Sequence, residues 1–147
     1  MLRETSSLLL KANRVLGTRL AEAGLARSEH MDEANEVFIQ RARERDLKRA
    51  SLLRILIFDN QTLREEDLLD HQLAEFPVGA VMLDNYNLDD VLVGQHPAEF
   101  LRASWTVPID FVNNRWLLAT AYYMSDIVRT FWEERLDGRV AWNISPL

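Results

Sequence analysis

The stretch Thr106-Val107-Pro108-Ile109-Asp110-Phe111-Val112-Asn113-Asn114-Arg115-Trp116-Leu117-Leu118-Ala119-Thr120 decides the fold class. Two runs rich in β-branched and aromatic residues are joined by two asparagines, and asparagine tolerates the positive φ that a two-residue hairpin turn requires. The stretch therefore predicts a β-hairpin. On its C-terminal side, Ser125 stands where it could cap a helix carrying Ile127, Val128, Phe131, Trp132 and Leu136 on one face. Gly138 ends that helix, and Arg139–Ile144 reads as a last strand. On the N-terminal side, His96-Pro97 opens a short helix with Phe100 and Leu101 on its buried side. Before it, residues 78–83 form a short β-type run closed by the turn residues Asp84-Asn85-Tyr86-Asn87.

Upstream of this the periodicity is helical. Leu9, Leu16, Leu20 and Ala23 recur at near-helical spacing, and Gly24 can supply a left-handed end. A second helix is expected from Ser28 as N-cap, with Met31, Ala34, Phe38 and Ala42 in one stripe. A third covers residues 50–58, where Leu52, Leu53, Leu56 and Ile57 make a wide apolar face. Thr62-Leu63-Arg64-Glu65 has the spacing of a capping box for a fourth helix running to about residue 74, with Pro77 and Gly79 marking its exit. The expected architecture is α+β: a helical subdomain of about four helices over residues 1–75, then a β-α-β-β-α-β subdomain over residues 76–147.

Composition bounds the function. The chain has 147 residues, 48% of them hydrophobic, enough for one compact domain or two small subdomains sharing an interface. It has no cysteine, which excludes disulfides and a Cys-based zinc site and fits a reducing cytoplasm. Leu8-Leu9-Leu10 is too short for a signal-peptide core and no apolar run approaches membrane-spanning length, so a soluble, cytoplasmic chain is expected. A net charge of -6 opposes nonspecific attraction to nucleic acid or anionic lipid, which disfavours a helical DNA reader. The basic residues Arg41, Arg43, Arg45, Lys48, Arg49 and Arg54 are interleaved with Glu44 and Asp46, as on a solvated helix face rather than a docking surface for an acidic partner.

Catalytic chemistry is not expected. No phosphate-cradling Gly-x-x-x-x-Gly-Lys-[Ser/Thr] occurs. His30, His71 and His96 are scattered without ligand-like spacing, and neither Ser104 nor Ser125 sits in a nucleophile elbow. Glu65-Glu66-Asp67 occupies a helix first turn, where carboxylates favour the macrodipole, and Asp89-Asp90 adjoins turn residues. No catalytic residue, metal or cofactor is assigned. Trp116 and Trp132 fall on core faces. Trp105 and Trp142 border strand ends, where core contact is the simpler reading and anchoring a partner the alternative, and Tyr122-Tyr123-Met124 is placed on an exposed edge. Trp105, Tyr122, Tyr123 and Trp142 are thus the candidate partner contacts.

The ordered series Phe76-Pro77-Val78-Gly79, Pro97-Ala98-Glu99-Phe100-Leu101, Val107-Pro108-Ile109, Trp116-Leu117-Leu118-Ala119-Thr120-Ala121 and Gly138-Arg139-Val140 resembles the N-terminal domain of type II secretion and type IV pilus assembly ATPases. The likeness spans roughly residues 9–144. Some members of that family bind cyclic di-GMP through a tandem motif of Arg-Leu-Gly, leucines, a glycine and a glutamine. Here Leu16, Gly17, Leu20, Gly24 and Leu25 match its opening, with Arg14 one residue early. The resemblance makes Arg14, Leu16, Gly17, Leu20 and Gly24 the vestigial ligand positions. Val15, Met31, Asn35 and Phe38 depart from the first repeat, and Leu52, Arg54, Gln61 and Glu75 from the second. Bulky side chains where glycines belong, and a carboxylate near a bis-phosphate, imply that the ligand site is lost. For the matching residues Leu16, Gly17, Leu20 and Gly24, close helix packing and helix termination are the simpler account, and ligand contact the alternative. The resemblance implies a non-catalytic interaction module that docks on an inner-membrane platform protein, with a cyclic di-GMP sensor as the alternative.

Overall fold

The computed structural model describes residues 3–83 and 93–147. The turn expected at 84–87 and the acidic pair Asp89-Asp90 lie outside the described residues. Among those described, six α-helices and a four-stranded sheet follow in the order α1 (Arg3–Glu22), α2 (Ser28–Arg43), α3 (Leu52–Arg54, continued by a π-helical turn over Ile55–Asp59), α4 (Glu65–Glu75), β1 (Gly79–Ala80), α5 (Ala98–Ser104), β2 (Thr106–Val112), β3 (Arg115–Thr120), α6 (Asp126–Arg135) and β4 (Arg139–Ile144). The protein is α+β, with the helical segment first.

The hairpin forms as its sequence dictates. Asn113 and Asn114 take φ of 53° and 58°, and β2 pairs antiparallel with β3 from Thr106↔Thr120 to Val112↔Arg115, with a register shift between Pro108 and Asp110. β4 then lies parallel to β3, and β1 parallel to β4, giving the order β1-β4-β3-β2. Gly138, at φ 103°, turns the chain into β4, and a Cβ there would come within 3.0 Å of the Asn114 carbonyl oxygen. The hairpin turn and the α6–β4 turn therefore pack directly on each other. β1 is much shorter than the run 78–83 suggests: only Gly79 and Ala80 pair, and Val81 adds one bond to the Ile144 carbonyl.

Helix ends depart from the sequence reading in instructive ways. Ser28 is the first helical residue of α2 rather than its cap, and Arg27 takes the N-cap place without a side-chain bond. The capping box at Thr62 and Glu65 does not form: α4 starts at Glu65 behind Arg64, the Thr62 hydroxyl has no partner among the described residues, and Glu65 accepts instead from the Leu147 amide at 3.0 Å. Ser125 is the N-cap residue of α6, but its hydroxyl donates to the Ala12 carbonyl of α1 at 3.0 Å. For Glu65 and Ser125 a tertiary contact displaced a local bond of similar strength. The third helix is split. After Arg54 the chain widens into a π turn, closed by Asn60 N–H to the Ile55 carbonyl at 2.8 Å, and Leu52, Leu53, Ile55, Leu56 and Ile57 all become buried.

One contiguous core joins the helices to the sheet, from Leu9, Leu16 and Leu20 of α1 through Leu52 and Leu56 to Leu118, Val128 and Trp132. At its centre is a buried polar knot. The Asn13 side chain accepts from Leu52 N–H at 3.0 Å and from the Tyr122 hydroxyl at 2.6 Å, and donates to the Leu9 carbonyl at 2.8 Å. Because the phenol proton goes to Asn13, the Ser51 hydroxyl, 2.6 Å from the Tyr122 oxygen, is the donor of that pair. Ser51 also accepts from Arg54 N–H, capping α3. Burial raises the Tyr122 pKa far above the ordinary phenol value, outweighing the opposite effect of the Ser51 bond, so the hydroxyl stays protonated and able to donate.

Tyr122→Phe removes one hydroxyl and leaves its two neighbours short of a bond in a buried site. Urea denaturation is expected to show a loss of about 1–3 kcal/mol with the far-ultraviolet spectrum unchanged.

Candidate functional site

The five vestigial ligand positions all lie on or just after α1, but the structure separates them by face. Leu16 and Leu20 are buried in the core. Arg14 and Gly17 line a groove of about 750 Å³ between α1 and α2, together with Lys11, Met31, Asn35 and Phe38. Gly24 follows the helix at φ 72° with open space around its Cβ position. It serves as the left-handed terminator: Gly24 N–H bonds to the Ala21 carbonyl and Leu25 N–H to the Leu20 carbonyl. Gly17 is set by packing. A Cβ there would stand 3.0 Å from the Leu52 Cδ2 atom and 3.4 Å from the Met31 sulfur, so its missing side chain is what lets α1 approach α2 and α3. The groove holds two cations, Lys11 and Arg14, and one carboxylate, Glu22.

The departures from the motif also have positions. Phe38, Met31 and Leu52 are buried. Arg54 is half-buried, while Gln61 and Glu75 are exposed, Gln61 at φ 54°. Position 61 therefore keeps the left-handed backbone that a glycine would adopt, carried by a glutamine.

The candidate partner contacts divide as well. Tyr122 is wholly buried, and Tyr123 and Met124 are nearly so, which corrects the expectation that this segment forms an exposed edge. The cause is the knot itself, which draws the chain after β3 inward beneath α1. Tyr122 is thereby removed from any surface. Tyr123 packs edge-on against Phe76 at 5.2 Å, under the Arg129 guanidinium at 4.7 Å. Trp142 is half-buried and donates its ring N–H to Glu133 at 2.9 Å. Trp105 ends α5 in the left-handed region and lines an apolar cleft. Of the two tryptophans expected in the core, Trp132 is fully buried and donates to Ser104, whereas Trp116 is half-buried, bonded to the Asp137 carbonyl and packed on Phe111 at 4.6 Å.

Exposed apolar side chains mark places that sequence reasoning passed over, among them Phe58 and Met82 beside one groove and the two described next. Phe111 and Val112, 42% and 46% exposed, stand at the far end of β2, and among the described residues β2 pairs only with β3. Leu10 and Ile39 stand together at one end of the α1–α2 groove. A signal for the first existed in the hairpin pattern, where Asp110-Phe111-Val112 breaks the alternation of a half-buried strand. His96 is held between the edges of the Trp116 and Trp132 rings. Burial there, then the Arg135 charge, lowers its pKa, so it is an unprotonated packing group at neutral pH. Among the described residues no cluster of three potential metal ligands occurs, and no helix is long and apolar enough to cross a membrane.

No protein-family model and no curated protein matches the chain. Six chains of solved structures do match. Among them is the structure of MshE with cyclic di-GMP, 19% identical, with a TM-score of 0.53 and 89% of each chain covered. At this identity the likeness is one of fold.

If Gly17 serves packing, its replacement is costly without any ligand present. Gly17→Val is expected to lower stability by about 1–3 kcal/mol in urea denaturation of the protein alone, because Leu52 is fully buried and has nowhere to move.

Proposed function

We propose that the chain is a non-catalytic, cytoplasmic docking module of the kind that heads secretion and pilus assembly ATPases, and that it binds an inner-membrane platform protein of such a machine. The observation that carries this reading is the apolar end of an edge strand: Phe111 and Val112 exposed on β2, with Phe111 packed on Trp116. An edge strand offers unpaired backbone groups, and rigid aromatic side chains supply contact area at low entropic cost. The fold shared with the MshE structure supports the family-level aspect of the reading. The half-buried Trp142 belongs to the packing of β4 in this account, and Tyr122 to the interior.

The second reading, a cyclic di-GMP sensor, is favoured by one pair of observations: the structural neighbour was solved with that ligand, and Arg14 and Gly17 share one groove. Against it, Glu22 lines the same groove and would repel the phosphates, and Leu16 and Leu20 are committed to the core.

Two titrations separate the readings. Binding of the cytoplasmic region of the platform protein is expected to weaken at least tenfold in Phe111→Asp with Val112→Asp, while the unfolding midpoint stays near that of the parent. Calorimetry with cyclic di-GMP is expected to give no saturable heat at micromolar concentration. Micromolar binding of the nucleotide that Arg14→Glu abolishes, with the hairpin variant indifferent to the platform protein, would establish the sensor instead.

A further inference from the structure

A second cleft, of about 410 Å³, opens where the segment before α3, the end of α5, the start of the hairpin and the last residues of the chain meet. Its volume lies in the range of sites that take small organic molecules. Leu101, Trp105, Val107, Ala121 and Leu147 supply much of an apolar wall. The charged residues of the same wall are Lys48, Arg54 and Arg102, and no acidic side chain joins them among the described lining residues. Against them stand the α-carboxylate of Leu147 and, beside its amide, the Glu65 carboxylate, so the described surroundings of the cleft keep an excess of positive charge on a chain with 23 acidic and 17 basic residues.

Among the described residues Arg19, Arg41, Arg49 and Arg64 sit beside a carboxylate, whereas Lys48, Arg54 and Arg102, like most of the basic residues, do not. Glu65, which lies near the end of the chain, is engaged with the Leu147 amide. Two donors of the wall, Arg54 Nε and Trp105 Nε1, are buried without any acceptor among the described residues. Buried donors lacking acceptors carry a desolvation penalty that an anion relieves, and charge-assisted bonds to guanidinium are the stronger kind. Water filling the cleft accounts for the volume and would satisfy the two donors, but it leaves three cationic side chains converging on one apolar surface without a counter-charge among the described side chains that line it.

We infer that this cleft binds a small organic anion, with a carboxylate or phosphate head held by Arg54 and Arg102 and an aromatic or aliphatic body lying along Trp105 and Val107. The site stands apart from Phe111 and Val112 and does not depend on the docking reading.

The test uses two fluorescent probes with the same body, anilinonaphthalene sulfonate, which is anionic, and N-phenylnaphthylamine, which is neutral. The anionic probe is expected to bind one per chain with blue-shifted emission, at least tenfold more tightly than the neutral one. Arg54→Met and Arg102→Met are each expected to weaken it at least tenfold. Arg102 is exposed, so its variant keeps the test valid even if Arg54→Met folds poorly. Val107→Trp, which fills the cleft without changing charge, should abolish binding, with circular dichroism confirming the fold. Displacement of the probe by octanoate or by octyl phosphate identifies the preferred head group. Equal affinity for the two probes, an unaffected Arg102 variant, binding that survives Val107→Trp, or displacement by neither anion would each overturn the inference.

Discussion

The Asn13 side chain holds the molecule together. It lies on α1, yet its carbonyl oxygen terminates two bonds that arrive from far along the chain, one from the backbone at Leu52 and one from the phenol of Tyr122. A buried amide without these partners would destabilise the fold by an amount comparable to a sizeable fraction of its stability. With them, α1, the start of α3 and the chain leaving β3 must meet at a single point. The direction of the proton chain, Ser51 to Tyr122 to Asn13, admits one arrangement of these three groups.

Much of the remaining structure follows from that meeting. Leaving β3, the chain is drawn beneath α1, which buries Tyr123 and Met124 and sets Ser125 where its hydroxyl reaches the Ala12 carbonyl. α6 then runs along α1 and buries Trp132, whose ring N–H finds Ser104 at the end of α5. On the other side, α1 can come this close to α3 only because position 17 lacks a side chain. The glycine and leucines that look like ligand-motif residues are thus the same ones that pack α1 against α2 and α3 and fill the core. What this interior does not consume is the exposed end of β2 and the cleft beside Trp105.

How legible each feature is depends on how local its cause is. The hairpin, Gly24 and Gly138 are readable because asparagine and glycine state a backbone requirement by themselves. The order of elements is readable because periodicity changes near residue 76. Capping at Ser28, Thr62 and Ser125 misleads for separate reasons: Ser28 falls one residue inside its helix, Glu65 of the expected box is taken by the Leu147 amide, and the Ser125 hydroxyl reaches the Ala12 carbonyl once the chain is folded. The π turn at Ile55–Asp59 has no signature beyond an apolar run that is too wide for one helical face. Tyr122 reads as a surface residue because an aromatic pair after a strand has no period, and its partners are 71 and 109 residues away in sequence. The cleft is invisible for the same reason: Lys48, Arg54 and Arg102 belong to separate segments that only the fold brings together.

At the centre stands the claim that the knot couples the helices and the sheet into a single cooperative unit. All four tryptophans lie between residues 105 and 142, so their fluorescence reports the sheet region, whereas circular dichroism at the helical band is weighted toward α1 to α4. The direct test is a single urea titration followed by both signals. Coincident midpoints and slopes are the predicted result. A helical transition displaced from the tryptophan transition would contradict the account.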